Sequence, residues 1–413
     1  MTKSVAIIGG GQVAAVAART LRRRGFDGAI TVIGDEPHLP YQRPPLSKGF
    51  LQGREQVGDL ILMNEPWCSD NAVDLRIGVP VTGLDAFSRR VGLADGSSVR
   101  ADSVLFATGG RPRMLPGVTS ERVVYLRTID HAIRVRDTLQ PGSRLITVGG
   151  GFIGAEIAAS ARAAGADVTM IEGLDAPLRR ALGRELGEVC AQIHRDYGVT
   201  VLTSEFVESV RDNTDGVVVR TAAGREVEGD LVVVGVGIEP NAELAEAAGV
   251  AVDNGIVVDE FCRTSVEGMY AAGDVANHKH PVFGAHIRVE HFDNANRQAA
   301  AAAMSIMGRR AAYDNVHWFW SDQYEFNLQY TGHAPVWTQA VIRGSVKTRS
   351  FTVFYLYDGV VNGAFAIDRG QDIVWAKELI AARARPEPAE LADEDLDLED
   401  LVNADVTHTP GRS

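Results

Sequence analysis

The chain has 413 residues, 45% of them hydrophobic and 23% charged, with a formal net charge of −13 and three cysteines. This length allows two or three domains, each with its own core, and the composition is that of an ordinary globular enzyme. The acidic balance gives no electrostatic reason to bind nucleic acid. Cys68, Cys190 and Cys262 are far apart and form no CxxC, which argues against a disulfide framework or zinc site and suits a reducing cytoplasm. No apolar stretch reaches the ~18 residues of a membrane span, and the strand-like run beginning at Val5 leaves no room for a leader.

In chain order, the first predicted element is the apolar strand Val5–Ile8, followed by the glycine turn Gly9-Gly10-Gly11-Gln12-Val13-Ala14. A helix follows, with Val13, Val16, Ala17 and Leu21 at helical spacing and Gly25 as its stop, and then a second strand to Ile33. Hairpin-like material turns at Asp95-Gly96, and the strand Val104–Phe106 runs into Ala107-Thr108-Gly109-Gly110. The whole pattern then repeats. Leu145–Val148 leads to Gly149-Gly150-Gly151-Phe152-Ile153-Gly154, a helix carrying Ile153, Ile157, Ala161 and Ala164, and the strand Val168–Ile171. A turn at Ala223-Gly224 and the strand Leu231–Val234, ending in Gly235-Val236-Gly237, complete this second half. Residues 256–318 read as strand, turn and helix, and from about residue 319 aromatic-rich alternating strands such as Phe351–Tyr357 mark a mixed third domain. Residues 386–413 hold −8 of the −13 charge. Charge alone makes them a solvated tail, although Leu391, Leu396, Leu398 and Leu401-Val402 offer anchors.

Each glycine turn sits between a strand and a helix, with an acid after the next strand. This is the layout of a dinucleotide-binding βαβ unit. The first two glycines allow a tight turn and close approach to a diphosphate, and a small third residue (Ala14, Gly154) lets helix and strand pack. Free N–H groups at the positive end of the helix dipole then hold the diphosphate. One such turn is a weak signal, but two in one chain imply two bound dinucleotides. The acid after each turn normally bonds the adenosine ribose. In the second unit that acid is Glu172, whose charge would repel a 2′-phosphate, so NADH is favoured over NADPH, with Arg179 and Arg180 nearby as the contrary signal. In the first unit Gly34 takes the matching position and Asp35, just after it, is the ribose candidate.

Gly9–Ala14, Arg43-Pro44-Pro45-Leu46-Ser47-Lys48, Ala107–Arg113, Gly149–Glu156, Gly273-Asp274 and Trp318-Phe319-Trp320-Ser321-Asp322-Gln323-Tyr324 together resemble NADH-dependent ferredoxin reductases. These FAD flavoproteins reduce small iron–sulfur ferredoxins that serve cytochrome P450 or Rieske oxygenases. The resemblance covers nearly the whole chain. It implies an α/β fold with two Rossmann-like dinucleotide-binding domains plus a C-terminal α+β domain. The FAD domain would be 1–112 with 242–318, the NAD domain 113–241, and the C-terminal domain 319–413. Relatives end in a segment like Leu391–Leu401, which implies that part of the acidic end is docked.

Position by position, the resemblance implies that FAD is held by Gly9, Gly11, Gln12, Val13, Ala14, Asp35, Arg43, Lys48, Val81, Ala107, Thr108, Gly109, Arg127, Gly273, Asp274, His291 and Phe292. NADH would lie over Gly150, Gly151, Phe152, Ile153, Glu172, Gly235 and Gly237. Phe152 stands where relatives often carry a Tyr over the flavin, and Phe292 where some carry Trp. Hydride transfer needs the nicotinamide C4 held against the flavin N5, so the protein supplies position and electrostatics. Lys48 and Glu156 are expected to pair beside that atom, with Trp320, and with it Trp318, on the acceptor side. Asp35–Leu51 contains no cysteine, so electrons are expected to leave directly to an external [2Fe–2S] or similar ferredoxin. His278, His280, His286 and His291 show no ligand spacing, so no metal is assigned. Rival readings are an NADH oxidase or monodehydroascorbate-type reductase, and a redox flavoprotein like apoptosis-inducing factor, which the −13 charge disfavours.

Overall fold

The computed structural model describes residues 3–309 and 312–402, so Asp405 and Arg412 of the acidic end lie outside the described residues. The chain divides into two compact units. The first takes the residues up to Gln42, Gly58–Arg111 and Glu239–Trp318; the second takes Arg43–Val57, Pro112–Ile238 and the chain from Phe319 onward. In this division Arg43–Val57, expected within 1–112, packs with the second unit, and so does the C-terminal sheet.

The first unit is built on a parallel sheet in the order Met269–Ala271, Ser103–Phe106, Ser4–Ile8, Ala29–Ile33, Val73–Arg76. Val5, Ala6, Ile7 and Ile8 are all buried, as a strand covered on both faces requires. The helix Gln12–Arg23 buries Val13, Ala17 and Leu21 on one stripe, and Gly25 takes φ +86° just past its end. The turn at Asp95-Gly96 joins two strands of the antiparallel sheet Val81–Asp85, Arg90–Leu93, Ser98–Arg100.

The second unit repeats the plan. Its parallel sheet runs Thr200–Thr203, Asp167–Glu172, Arg144–Val148, Leu231–Val234, Val123–Val124, with the turn-bearing strand again central. The helix Phe152–Ala163 buries Ile157 and Ala161 as expected, but Ile153 is 46% exposed. Ile153 lies in the first helical turn, beside the glycines, and the residues that follow it, Gly154 to Ala161, are buried. Gly224 turns with φ +82° between Gly216–Thr221 and Glu226–Gly229. From residue 318 a five-stranded sheet follows in the order Trp318–Gln323, Phe326–Gly332, Val360–Ile367, Ser350–Tyr357, Gln339–Ser345, with the helix Gly370–Ala382 packed on it. Its Leu328, Phe351, Val353 and Phe365 share a core with Leu182, Leu186, Cys190 and Ile193.

The acidic end is docked through residue 402. A capping box between Glu387 and Glu390 starts the turn Pro388–Ala392. Leu391, Leu398 and Leu401 are buried, and Arg343 donates to the carbonyls of Asp393 and, at 2.8 Å, Leu396. Leucine burial outweighs the solvation that charge alone suggested.

Candidate functional site

In the first unit the turn Gly9–Ala14 is shaped by backbone contacts that only glycine permits. Gly9 has φ +120°, and a Cβ there would lie 2.1 Å from the Ala107 carbonyl oxygen. The turn is therefore pressed onto the end of the strand Ser103–Phe106. Gly11 caps the helix Gln12–Arg23 with no side-chain hydrogen bond, no acid lies in the first turn, and a Cβ on Gly11 would meet nothing within 4 Å. Free amides with open space before them suit a diphosphate. Gly273, at φ +79°, comes so close that a Cβ would lie 2.5 Å from Val13 Cγ2, and its N–H donates to Gln298 at 2.7 Å. The fold thus brings Gly273 and Asp274 to the start of this helix from more than 250 residues away. Gln12 Nε2 donates to Asn296 at 2.5 Å, while Gln12 Oε1 is buried without a partner, an acceptor fit for a hydroxyl-bearing ligand. Thr108 Oγ1 donates to the Asn241 carbonyl at 2.7 Å and Asn241 Nδ2 donates back to the Thr108 carbonyl at 2.9 Å, fixing the Ala107–Gly109 edge. Asp35 is exposed just beyond the strand Ala29–Ile33, and Val81 is half-buried on its antiparallel sheet. His291 caps the helix Phe292–Ile306, and burial pushes its imidazole down to about 4, against the raising effect of Asp274.

The second glycine turn follows the same logic with different partners. Gly149, at φ +96°, presses on the Gly235 carbonyl, where a Cβ would lie 2.5 Å away. A Cβ on Gly154 would lie only 2.0 Å from the Gly149 oxygen. Gly151 caps the helix Phe152–Ala163 without a side chain, again with no acid in the first turn. Glu172 reaches this turn: its Oε2 accepts from Gly150 N at 2.5 Å and its Oε1 from Leu174 N at 2.7 Å. Arg179 is tied to Asp175 at 3.1 Å and Arg180 is exposed. Gly237 turns at φ +98°, and its carbonyl accepts from Arg113 N at 3.0 Å. Phe152 packs edge-on against Phe319, ring centroids 4.6 Å apart.

The same unit contains a buried ion pair. Lys48 Nζ lies 2.8 Å from Glu156 Oε2, with side-chain exposures of 15% and 3%. Lys48 comes from the Pro44–Ser47 turn and Glu156 from the second turn of the helix Phe152–Ala163, too deep to be an ordinary dipole-favoured acid of the first turn. Trp320 has its ring centroid 6.0 Å from Lys48 Nζ, and its Nε1 donates to Asp322 at 3.1 Å. Arg43 Nη1 donates to the Arg127 carbonyl at 2.6 Å, so these two expected site residues also meet.

Residues 3–299 match the family described as pyridine nucleotide-disulphide oxidoreductase, and residues 318–402 match the reductase C-terminal family. Rhodocoxin reductase of Rhodococcus erythropolis is 39% identical over 96% of this chain and 93% of its own length. The ferredoxin–NAD(+) reductase component of the anthranilate 1,2-dioxygenase system of Burkholderia cepacia is 40% identical over 94% of this chain and 96% of its own. The reductase in the crystal structure of a covalent putidaredoxin reductase–putidaredoxin complex superposes with a TM-score of 0.95 at 33% identity, covering 98% of this chain and 99% of that one. The chain belongs to the ferredoxin-reductase family.

Sequence reasoning on this ferredoxin-reductase chain found the lysine and the glutamate but missed the hydroxyls around them. Ser47 Oγ donates to Glu156 Oε2 at 2.5 Å, and Ser321 Oγ donates to Glu156 Oε1 at 2.7 Å. A signal for Ser321 was present: strand alternation in Trp318–Gln323 places Ser321 and Gln323 together on the buried side, away from the exposed Asp322. Ser47 carried none beyond its place next to Lys48. No group of three or more His, Cys, Asp or Glu among the described residues is arranged to hold a metal ion, and none of their helices is long and apolar enough to cross a membrane.

Proposed function

We propose that the chain is an FAD-containing, NADH-dependent reductase that passes electrons to a small [2Fe–2S] or similar ferredoxin serving a cytochrome P450 or Rieske oxygenase. The observation that carries this reading is that one chain holds two glycine cradles and a buried Lys48–Glu156 pair. The modules are 1–112 with 242–318 for FAD, 113–241 for NADH, and 319–413 as the C-terminal domain. FAD would be held by the Gly9–Ala14 turn, Asp35, Val81, Ala107–Gly109, Gly273, Asp274, His291 and Phe292, together with Arg43, Lys48 and Arg127. When bound, it supplies the one property the reaction needs: two electrons taken as hydride and released singly to a one-electron acceptor.

The chain's own groups bind, orient and balance charge. The free amides at Gly11 and Gly151 receive the two diphosphates. Glu172 selects an unphosphorylated adenosine ribose. Lys48 brings a positive charge that its bond to Glu156 keeps fixed in direction, so no reorganisation is needed when negative charge develops nearby. Trp320 covers the lysine and contributes to the acceptor side. The cysteines take no part: burial raises the thiol of Cys190 to about 12 and shifts those of Cys68 and Cys262 the same way. Three buried, unbridged thiols also suit a cytoplasmic location.

Purified protein should be yellow, bleach with NADH under anaerobic conditions and then reduce a [2Fe–2S] ferredoxin faster than it reduces oxygen or quinones. Colourless protein that stays inert with added FAD and NADH refutes the reading. Flavin that bleaches but prefers oxygen refutes the ferredoxin part alone.

A further inference from the structure

The Glu156 carboxylate is the end point of a chain of hydrogen bonds that runs along the edge strand Trp318–Gln323 of the C-terminal sheet. Tyr324 OH lies 2.8 Å from His194 Nδ1, and His194 Nε2 lies 3.1 Å from Gln323 Oε1. Gln323 Nε2 donates to Ser321 Oγ at 3.0 Å, and Ser321 Oγ donates to Glu156 Oε1 at 2.7 Å. Glu156, His194, Ser321 and Gln323 are all buried. The donor inventory fixes one direction for the whole chain. An ionised carboxylate can only accept, so Ser321 gives it its proton and must accept from the amide of Gln323. Gln323 then has only its oxygen to offer His194, which therefore carries its proton on Nε2 and accepts from Tyr324 on Nδ1. Burial holds that imidazole neutral, down to about 4, which leaves it the one free nitrogen lone pair the scheme requires.

Tyr324 is also fixed in place. It sits at φ +58°, a left-handed conformation uncommon for an aromatic residue, and its ring stacks on Tyr197 at 3.8 Å between centroids. Bonds aligned head to tail reinforce one another, and a buried network that is fully satisfied specifies one geometry. The opposite oxygen of Glu156 takes Ser47 and Lys48. Both carboxylate oxygens are thus occupied, and the carboxylate plane has one orientation available.

We infer that Ser321, Gln323 and His194 are positioning residues that aim Glu156 at Lys48 and so set the rate at which NADH reduces the bound flavin. This rests on the reading given under Proposed function. No proton travels along the chain, because the amide of Gln323 would have to pass through its imidic acid form. The chain acts through position and charge.

Two measurements test it. In the protein as purified, ¹⁵N NMR of the His194 ring should show the proton on Nε2 and a bare, hydrogen-bonded Nδ1. An Nδ1–H tautomer reverses the chain and overturns the inference. In the holoenzyme, stopped-flow bleaching by NADH should be compared for wild type, Ser321→Ala, Ser321→Thr, Lys48→Met and the Lys48→Met/Ser321→Ala double variant. Ser321→Ala should lower the limiting rate about tenfold (~1.4 kcal/mol), leave the NADH concentration at half-maximal rate within about twofold, and be largely rescued by Thr. In the Lys48→Met background the same change should cost less than about twofold, since a residue acting through Lys48 has nothing left to act on. An unchanged rate in Ser321→Ala, or the same factor in both backgrounds, overturns the inference. If wild type itself does not bleach, the functional reading fails, and the tautomer still decides the direction of the chain.

Discussion

Replacing Glu172 by Arg should move the cofactor preference from NADH toward NADPH, and the size of the shift can be worked from the contacts. The carboxylate spans two backbone donors, Gly150 N at 2.5 Å and Leu174 N at 2.7 Å, which place it at the mouth of the glycine turn. A hydrogen bond from a ribose hydroxyl to a charged acceptor is worth ~1.5–3 kcal/mol, so its loss should lower kcat/KM for NADH by about 10- to 100-fold. For NADPH the change replaces repulsion by attraction. At a separation of ~5 Å and an effective dielectric of ~20, each unit pair contributes ~3 kcal/mol before screening. With salt and partial exposure, about 1 kcal/mol is left on each side of the change. The ratio of kcat/KM values, NADH over NADPH, should therefore fall by at least about 100-fold in a ferricyanide assay, and by less at high salt. Glu172→Gln, which keeps an acceptor but drops the charge, should fall between. The Gly150 amide loses its acceptor in the Arg variant, so thermal unfolding must be measured alongside. A ratio that moves less than about threefold in protein of near-native Tm removes Glu172 from the ribose site.

Lys48→Met leaves the Glu156 carboxylate buried with only two hydroxyl donors. Breaking a buried pair in this way costs ~3–5 kcal/mol. We expect a lower Tm and NADH bleaching slowed ~10- to 100-fold, with stability partly restored in Lys48→Met/Glu156→Gln; an unchanged bleaching rate takes Lys48 out of the site. Gly154→Ala should impair NADH binding while FAD is retained, because the added carbon would lie 2.0 Å from the Gly149 carbonyl oxygen, a backbone atom of the turn itself. Equilibrium titration with NAD+ and flavin content read that split, and wild-type affinity would show that the turn can relax. Burial pushes His194, His278 and His291 down to about 4, 3 and 4, respectively. Their folded values lie below the unfolded ~6.5, so between pH 6.5 and 4 the unfolded chain binds protons that the native chain does not. Stability should be insensitive to these groups above pH 6.5 and fall below it by ~1.4 kcal/mol per pH unit for each histidine. Urea midpoints that stay flat from pH 6.5 to 5 would contradict the burial of neutral imidazoles.

The two nucleotide units were legible in the sequence because each rests on local chemistry: a strand, glycines at fixed offsets and a helix stripe lie within about 30 residues. What local pattern hides is which atoms the glycines must admit. Gly9 and Gly149 are equivalent in sequence, and each presses on the carbonyl that ends the closing strand, Ala107 and Gly235. Yet Ala14 is accommodated five residues after Gly9, whereas Gly154, five after Gly149, has a carbonyl oxygen where its Cβ would go. The two helices therefore leave their turns differently, and Ile153 stands exposed at the place where Val13, its counterpart, is buried under Gly273. The Lys48–Glu156 centre shows the same limit at longer range. Its two charged members could be proposed from motifs 108 residues apart, but its completion by Ser321 depends on a strand 165 residues beyond Glu156. A buried carboxylate cannot be left with one donor, so the need for further hydroxyls followed from physics. Their identity did not, because hydrogen-bond satisfaction is settled by tertiary packing and serine carries no periodic signature. Charge is where local reading misled. The acids near residue 395 predicted a solvated tail, yet three leucines and the Arg343 guanidinium, bonded to main-chain carbonyls rather than to the carboxylates, fix the segment in place. An argument from net charge counts side chains, and this contact is made to the backbone.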